Sequence, residues 1–324
     1  MAEIIAKLED FTLSRQEQPK GTIQKVGIIG CGSMGQQIAK TISQHGFDVV
    51  CLDVDDQHVA DAMAGITTML DDEIRQWGMT NSEKRLILSR ISGSCNYADL
   101  SGCDIVIESV SSKVPGAGVE LRRNIFNKIE QFVGSDTVIS SNTAVLMISD
   151  LAAGLKYPER AVGLHFMAPA DKVKVLEVVR GAKTSEAAYD TICRFTHMLE
   201  KKPILLQESP GNLTTRMIVI MINEACRMLM EGIASIPDID ETLKMNLGYT
   251  YGPFELADRI GLDKVVKWME GIYNEFGEKA YKTSPVIKKL VRANHFGKST
   301  GQGFYKYDAN GKVVGFSVNC LELK

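Results

Sequence analysis

The sequence lacks long hydrophobic runs, and it lacks an excess of charge of either sign. The best candidate for a membrane span, residues 217–222, is far shorter than the roughly 18 apolar residues that a bilayer requires. The chain has 37 Lys and Arg against 40 Asp and Glu, which gives a net charge of −3. So small a charge provides no field that would hold a polyanion. We therefore expect neither a membrane protein nor a nucleic-acid-binding protein.

Paired cysteines are also lacking. The seven cysteines are odd in number, scattered, and without a C-x-x-C spacing. This pattern favours a cytoplasmic protein and argues against a disulfide framework or a zinc site, so we expect no metal centre. The first 25 residues mix acidic and basic side chains and have no long apolar segment. Residues 1–23 are therefore interpreted as an N-terminal arm, and neither as a secretion signal nor as a mitochondrial presequence.

The sequence does have the composition of an ordinary globular protein, with 44% hydrophobic and 24% charged residues among 324. In its first two-thirds, short β-branched runs alternate with segments of helical length. Strands that alternate with helices predict a mostly parallel sheet with helices on both faces, which is an α/β fold. The predicted strands span residues 25–30, 48–53, 105–110, 137–140, 161–166 and 173–179.

The pattern changes after residue 207. Helical spacing then predominates, which predicts a second, all-helical domain over residues 208–306. Within it, the apolar stripe at 217–230 fits a helix buried inside one chain and a helix at a subunit interface equally well. Asn310-Gly311 between alternating residues predicts a β-hairpin in the C-terminal segment, residues 307–324.

A glycine-rich turn of the form G-x-G-x-x-G follows the first predicted strand and opens a helix. Its residues are Gly30, Cys31, Gly32, Ser33, Met34 and Gly35. Within a βαβ unit, such a turn lets the backbone approach a pyrophosphate at the helix N-terminus. Asp53 ends the second strand, where its carboxylate would accept both ribose hydroxyls of NAD and repel the extra phosphate of NADP. We therefore predict a Rossmann-type domain over residues 24–207 that binds NAD. FAD is the minor alternative cofactor. The alternative without any ligand is a glycine turn with a purely structural role.

His165 and Glu177 form the candidate catalytic pair. His165 closes a predicted strand, at the edge of the sheet where ligands bind in open α/β folds. Glu177 follows inside an apolar run, where an ionised carboxylate needs a partner. If their strands pair, Glu177 would hold one ring nitrogen and make the other a general base. Such a base would remove a hydroxyl proton while hydride leaves for the nicotinamide. A buried structural ion pair fits the spacing equally well.

These residues belong to a longer ordered series of motifs. The series comprises V-G-I-I-G-C-G-S-M-G at 26–35, D-I-V-I-E-S-V at 104–110, S-N-T at 141–143, H-F-M-A-P at 165–169, G-P-F-E-L-A-D at 252–258 and F-G-K-S-T-G-Q-G-F-Y at 296–305. Over residues 24–307 the sequence therefore resembles the L-3-hydroxyacyl-CoA dehydrogenases, especially the bacterial 3-hydroxybutyryl-CoA dehydrogenases.

The resemblance implies an NAD-dependent enzyme that interconverts a 3-hydroxyacyl thioester and the corresponding 3-oxoacyl thioester. Its active site would lie in the cleft between a Rossmann-type domain and a helical domain that forms a homodimer. The resemblance assigns the catalytic roles to His165 and Glu177. Besides the glycine turn and Asp53, it implies cofactor contacts at Glu108, Val110, Asn142 and Lys298. The substrate positions of the family correspond to Ala144 and Thr215.

Several positions depart from the family pattern. Ala144 stands where the family has a substrate-binding serine, and Ala168 and Thr215 stand where it has asparagines. Ser112 replaces an expected acid, and residues 113–119 resemble a short insertion near the cofactor.

The segment 55–76, which follows the second strand, contains six acids and a single arginine, Arg75. Such a surface disfavours the charged tail of CoA, unless CoA enters past Lys84, Arg85 and Arg90. Two alternatives therefore stay open. One is a dehydrogenase of another 3-hydroxy acid or of a carrier-bound acyl group, and the other is a catalytically weakened NAD-binding protein on the same scaffold.

Overall fold

The computed structural model describes residues 23–111 and 118–317. The predicted N-terminal arm, Ser112 and most of the predicted insertion at 113–119 lie outside these ranges, apart from residues 23, 118 and 119. Residues 23–111 and 118–207 form an eight-stranded sheet covered by helices. The strands are β1 Lys25–Ile29, β2 Asp48–Leu52, β3 Ile91–Ser94, β4 Ile105–Glu108, β5 Val138–Ser141, β6 Ala161–His165, β7 Val175–Arg180 and β8 Lys202–Gln207.

The sheet has the order β3-β2-β1-β4-β5-β6-β7-β8, and every neighbouring pair is parallel except β6 and β7. The predicted mostly parallel sheet is thus confirmed. The antiparallel pair has a physical reason, because a parallel crossover needs a dozen or more residues and the loop at 166–174 is shorter. Strand β3 was not predicted from the sequence, since Ile91 is its one buried apolar residue and the strand lies at the sheet edge.

Helices cover both faces of the sheet because successive side chains of its strands point to opposite sides. On β1, Val26 and Ile28 belong to one apolar cluster and Ile29 to another. The first cluster packs against α1 Ser33–Gln44, α2 Asp56–Arg75, α3 Asn81–Ser89 and α6 Glu186–Met198. The second packs against α4 Gly118–Phe132 and α5 Ile148–Ala152.

A helical domain with its own core follows β8. Its elements are α7 Thr214–Glu231, α8 Ile236–Leu247, α9 Pro253–Ile260, α10 Leu262–Phe276, α11 Pro285–Arg292 and the hairpin strands β9 Tyr305–Tyr307 and β10 Val313–Phe316. The predicted α/β domain followed by a helical domain is confirmed, and the predicted hairpin is present. Helix α7 buries Val219, Ile222 and Leu229 but exposes Met217 and Ile220. In the described part of the chain, no helix is both long and apolar enough to cross a membrane.

Two buried aspartates explain the C-terminal sequence motifs. Asp258 accepts hydrogen bonds from the backbone N–H groups of Phe304 and Tyr305 and from the hydroxyl of Tyr307. Gly303 packs so closely on this carboxylate that a Cβ there would lie 2.0 Å from Asp258 Oδ1. Asp240 accepts from the start of α9 and from the Tyr305 hydroxyl. These motifs therefore hold β9 against the helices.

Candidate active site

The glycine turn connects β1 to α1, and each of its three glycines is suited to its position for a different physical reason. Gly30 has φ +86°, and a Cβ there would lie 2.7 Å from Val110 Cγ2. A Cβ at Gly35 would lie 2.1 Å from the carbonyl oxygen of Gly30, so this glycine allows the helix to pack on the turn. Among the described residues, apart from its own chain neighbours, none has an atom within 4 Å of a Cβ built at Gly32. Gly32 is therefore not required by protein packing, and the open space beside it suits a close backbone approach to a ligand.

The N-terminus of α1 fits the pyrophosphate of a dinucleotide. Its N-cap, Gly32, provides no side-chain cap, and the first turn has no acidic residue. The first N–H groups and the positive end of the helix dipole are thus free of a competing carboxylate cap. Ser33 and Met34 form the first residues of this helix, where a bound phosphate would meet their backbone.

Asp53 lies at the end of β2 beside the glycine turn, as predicted. Its carboxylate accepts hydrogen bonds from the backbone N–H of Cys31 at 2.7 Å and of Val54 at 2.8 Å. These bonds hold the carboxylate at the mouth of the turn, and each oxygen has further acceptor capacity. The Cys31 thiol itself is buried, and its hydrogen bond with Cys51 together with burial strongly raises its pKa. Cys31 is therefore an unreactive thiol that contributes its backbone.

Glu108, predicted to contact the cofactor, is completely buried at the end of β4. Its carboxylate accepts from the Val110 backbone N–H at 2.6 Å, from Arg122 Nε at 3.1 Å and from the Ser141 hydroxyl at 2.5 Å. Burial raises the pKa of Glu108, against the opposing effect of Arg122. The side chain thus lies beneath the surface and fixes the backbone at Val110, which faces Gly30. Arg122 was not identified from the sequence.

Asn142 connects the end of β5 to the end of β6. Its side-chain Oδ1 accepts a 2.7 Å hydrogen bond from the backbone N–H of Phe166, the residue after His165. Its backbone N–H donates to the carbonyl of Glu108 at 2.8 Å. Asn142 therefore fixes the strand end that carries His165.

His165 and Glu177 face each other across the antiparallel pair β6–β7, in direct register. The distance between His165 Nδ1 and Glu177 Oε2 is 2.8 Å, and both side chains are buried. Glu177 Oε1 accepts a second hydrogen bond, of 2.7 Å, from the backbone N–H of Thr214 at the start of α7. Burial opposes the charge of Glu177, but the hydrogen bonds and charge of His165 and the bonds from Thr214 outweigh it, so the pKa of Glu177 is lowered.

This arrangement fixes the protonation pattern of the pair. An ionised Glu177 accepts and does not donate, so Nδ1 of His165 carries the proton that it shares with Glu177. In a neutral ring, Nε2 is then the unprotonated nitrogen and is available as a base. The structure thus shows a buried His165–Glu177 pair, and no described residue forms a hydrogen bond with Nε2 of His165.

Thr214 also contacts the candidate catalytic pair and was not identified from the sequence. Its backbone and side chain both contact Glu177, whereas the predicted substrate residue, Thr215, is its buried neighbour. No local signal marks Thr214, because α7 brings it to Glu177 from the second domain. The same connection includes Asn212, whose Nδ2 lies 3.5 Å from the Thr143 carbonyl oxygen. Ala144, the other predicted substrate residue, is buried in the adjacent loop.

Lys298, predicted to contact the cofactor, lies at the hairpin of the helical domain. Its Nζ is 5.3 Å from the centre of the Tyr307 ring. Among the described residues, no hydrogen bond or ion pair joins Lys298 to the glycine turn. Ala168 is exposed on the loop after His165.

The acidic segment at 55–76 carries less free charge than its composition indicates. Asp71 pairs with Lys84 at 2.6 Å, Asp72 pairs with Arg75, and Glu73 pairs with Lys40. The argument against a charged CoA tail is correspondingly weaker. Across residues 23–111 and 118–317, no cluster of three or more His, Cys, Asp and Glu is placed to hold a metal ion.

Comparison with known proteins assigns the chain to a family. The model of the 3-hydroxyacyl-CoA dehydrogenase NAD-binding domain matches residues 25–209, and the model of the C-terminal domain matches residues 211–307. The chain belongs to the 3-hydroxyacyl-CoA dehydrogenase family. Membership confirms the resemblance, the predicted cofactor NAD and the predicted class of NAD-dependent dehydrogenase.

Relatives cover most of the chain. A 3-hydroxybutyryl-CoA dehydrogenase of Clostridioides difficile is 34% identical over 285 residues, which are 88% of this chain and 99% of that protein. The crystal structure of (S)-3-hydroxybutyryl-CoA dehydrogenase PaaH1 from Ralstonia eutropha is 36% identical. It has a TM-score of 0.81 and covers 89% of this chain and 100% of its own. FadB2 of M. tuberculosis is 29% identical with a TM-score of 0.85, over 89% of this chain and 100% of its own.

Proposed function

We propose that this chain interconverts a 3-hydroxyacyl thioester of the 3-hydroxybutyryl-CoA kind and the 3-oxoacyl thioester. The observation that carries the proposal is the buried His165–Glu177 pair, with Nδ1 tied to the carboxylate at 2.8 Å. The pair lies at the carboxyl end of β6, where ligands bind in open α/β folds, and this position favours a base over a purely structural ion pair. The names of the relatives support the same substrate class.

In the oxidative direction, Nε2 of His165 takes the proton of the substrate hydroxyl. The ring becomes an imidazolium, and Glu177, at hydrogen-bond distance, stabilises the new positive charge. Bound NAD supplies the acceptor for the hydride that leaves C3. The N-terminus of α1 and Asp53 would hold NAD by its pyrophosphate and ribose, respectively. In the reductive direction, the same histidine returns the proton.

The substrate contacts differ from the family pattern at Ala144, Ala168 and Thr215. The methyl group of Ala144 offers no hydrogen bond, and the side chain of Thr215 is buried. The substrate oxygen on C3 therefore forms its hydrogen bond mainly with His165. A lost hydrogen bond of this kind costs about 1–3 kcal/mol, so turnover is slowed and not abolished.

Substrate profiling tests this proposal. NADH oxidation is followed with acetoacetyl-CoA, a short acetoacetyl thioester without the nucleotide, and free acetoacetate, in wild type, His165→Ala and Ala144→Ser. We expect acetoacetyl-CoA to be the best substrate, at least a hundredfold loss in His165→Ala, and a gain in Ala144→Ser. Preference for the short thioester or for the free acid would support the alternative substrates instead. NADH binding without turnover of any acyl compound would support the weakened NAD-binding protein.

We also propose that the helical domain forms a homodimer. Large apolar side chains are exposed on its surface, including Met217, Ile233 and Leu247, and Met245 is 81% exposed. Several large, exposed apolar side chains on one domain favour an interaction surface there. Sedimentation velocity should give twice the chain mass of 35.6 kDa, and a Met217→Glu/Met245→Glu variant should sediment as a monomer. A monomeric wild type at micromolar concentration would refute the dimer.

A further inference from the structure

The loop that carries His165 into β7 is attached to the same helix whose N-terminus forms the phosphate site. This loop, residues 166–174, has two contacts with α1. Ala170 donates its backbone N–H to Gln37 Oε1 at 3.1 Å, and Lys40 Nζ donates to Asp171 Oδ2 at 3.1 Å. Gln37 and Lys40 lie three residues apart and therefore on one face of the helix.

Gln37 connects the loop directly to the glycine turn. While its Oε1 accepts from Ala170, its Nε2 donates to the carbonyl oxygen of Ser33 at 3.2 Å. Ser33 is the first residue of α1 and part of the G-x-G-x-x-G motif. One amide side chain thus bridges the phosphate-binding turn and the loop of the catalytic histidine.

Lys40 is the stronger of the two anchors. Its side chain is only 6% exposed, and its ammonium lies between the carboxylates of Asp171 and Glu73. Because the ammonium of Lys40 is almost completely buried, its charge favours contact with both carboxylates, and this contact holds Asp171 against α1. The charge of Lys40 accordingly lowers the pKa of Asp171, although burial acts in the opposite direction.

Further hydrogen bonds stabilise the loop on either side of these two anchors. Lys172 and Val173 donate their backbone N–H groups to the carbonyl of Pro169, and Lys201 Nζ donates to the carbonyl of Val173 at 2.5 Å. Ala170 directly follows Pro169, so a displacement at Ala170 and Asp171 would also move the short segment 166–169 that begins after His165. Hydride transfer requires the acceptor carbon and the base to be placed within about an ångström, since small misplacements cost up to about a hundredfold in rate.

We propose that Gln37 and Lys40 are positioning residues, which hold the His165 loop in register with the NAD that binds at the N-terminus of α1. The proposal rests on the proposed function for its kinetic consequence. Neither residue touches the reacting atoms. Their role is to fix the position of the His165 loop relative to α1, the helix whose N-terminus would also position the cofactor.

The test compares wild type with Gln37→Met, Asp171→Ala and the double variant. Gln37→Met keeps the packing volume but removes both hydrogen bonds, and Asp171→Ala leaves Lys40 paired with Glu73. We expect kcat to fall about tenfold in each single variant and more in the double variant, with the Kd for NADH within threefold of wild type. Asp171→Asn, which keeps an oxygen acceptor for Lys40, should recover most of the rate. Lys172→Ala, on an exposed neighbour in the same loop, should behave as wild type.

Hydrogen exchange gives a second readout that does not depend on turnover. NADH should slow exchange of the backbone N–H groups at 170–173 in wild type, and this protection should be lost in the double variant. Unchanged kcat in the double variant, or equal losses in kcat and NADH affinity, would overturn the proposal. If wild type binds NADH but turns over no thioester, the proposed function fails, and the exchange result alone decides. If the double variant keeps the protection from hydrogen exchange that NADH gives, the positioning role of Gln37 and Lys40 is overturned. If the double variant loses this protection, the positioning role is supported.

Discussion

Replacing Glu177 by glutamine tests the central pair with almost no change in volume. The carboxylate accepts from Nδ1 of His165 at 2.8 Å and from the backbone N–H of Thr214 at 2.7 Å, besides its contact with the Thr214 side chain. A glutamine has one acceptor oxygen and one donor NH2 group, so it satisfies only one of the two donors. If its oxygen faces Thr214, its NH2 group requires an unprotonated Nδ1, and the proton moves to Nε2. The histidine then has no free nitrogen with which to act as a base.

The expected loss follows from these contacts. Keeping the active tautomer leaves the buried N–H of Thr214 without its acceptor, at a cost of about 1–3 kcal/mol. Removing the charge also forfeits a charge-assisted bond to the imidazolium, which contributes about 1.5–3 kcal/mol. Together these effects amount to about 2.5–6 kcal/mol in the transition state, or a loss of about 10² to 10⁴ in kcat/KM. The Kd for NADH should stay within threefold, because Glu177 does not contact the glycine turn.

The assay is NADH oxidation with acetoacetyl-CoA, accompanied by NADH titration and thermal unfolding. Glu130→Gln is the matched control, since Glu130 also accepts two backbone N–H groups, those of Lys156 and Tyr157, and pairs with Arg160 at 3.0 Å. It should lose stability but keep kcat. A folded Glu177→Gln variant with kcat/KM within twofold of wild type would refute the assignment of the tautomer and of the base.

Three further predictions concern other parts of the chain. Asp53→Ala should weaken NADH binding at least tenfold, because the carboxylate that accepts the ribose hydroxyls is lost. NADPH binding should not weaken, because the same carboxylate would repel the extra phosphate. Fluorescence titration with the two nucleotides measures both affinities, and an unchanged ratio between them would contradict the prediction. Trp77 is 96% exposed with φ +59° after α2, so Trp77→Gly should raise the free energy of unfolding by about 0.5–1 kcal/mol, whereas Trp77→Ala should give no such gain. Burial raises the pKa of Asp258 from 3.8 to about 6, so its contribution to stability, about 3 kcal/mol, is complete below pH 4 and is lost as the pH rises through 6. Denaturant unfolding from pH 4 to 7 should therefore show a flatter pH dependence in Asp258→Asn, and an unchanged slope would count against the raised pKa.

Local patterns predicted much of the fold and the core of the site. Strand β1, the glycine turn and α1 are contiguous, and their order alone gives a phosphate-binding unit. His165 and Glu177 are joined by a short loop, so a strand end and a buried carboxylate were sufficient to pair them. The glycine turn and the His165–Glu177 pair are each formed by residues that lie close together in the chain. A single sequence is therefore enough to predict them.

Features that depend on distant packing were not predictable in this way. Thr214 reaches Glu177 from another domain, and Arg122 reaches Glu108 from α4. The acids of α2 look unpaired in the sequence because Lys40 and Lys84 meet them only in the folded chain. The edge strand β3 has too little apolar character to be recognised before its pairing with β2 is known.

The most direct measurement of the central claim is the transfer of deuterium from NADH, labelled at both C4 positions, to acetoacetyl-CoA. Mass spectrometry of the product follows the label in wild type and in His165→Ala, at saturating NADH. The account predicts 3-hydroxybutyryl-CoA with one deuterium at C3 in wild type, formed at least a hundredfold more slowly in His165→Ala. An unlabelled or absent product from a wild type that binds NADH, or equal rates in the two proteins, would contradict it.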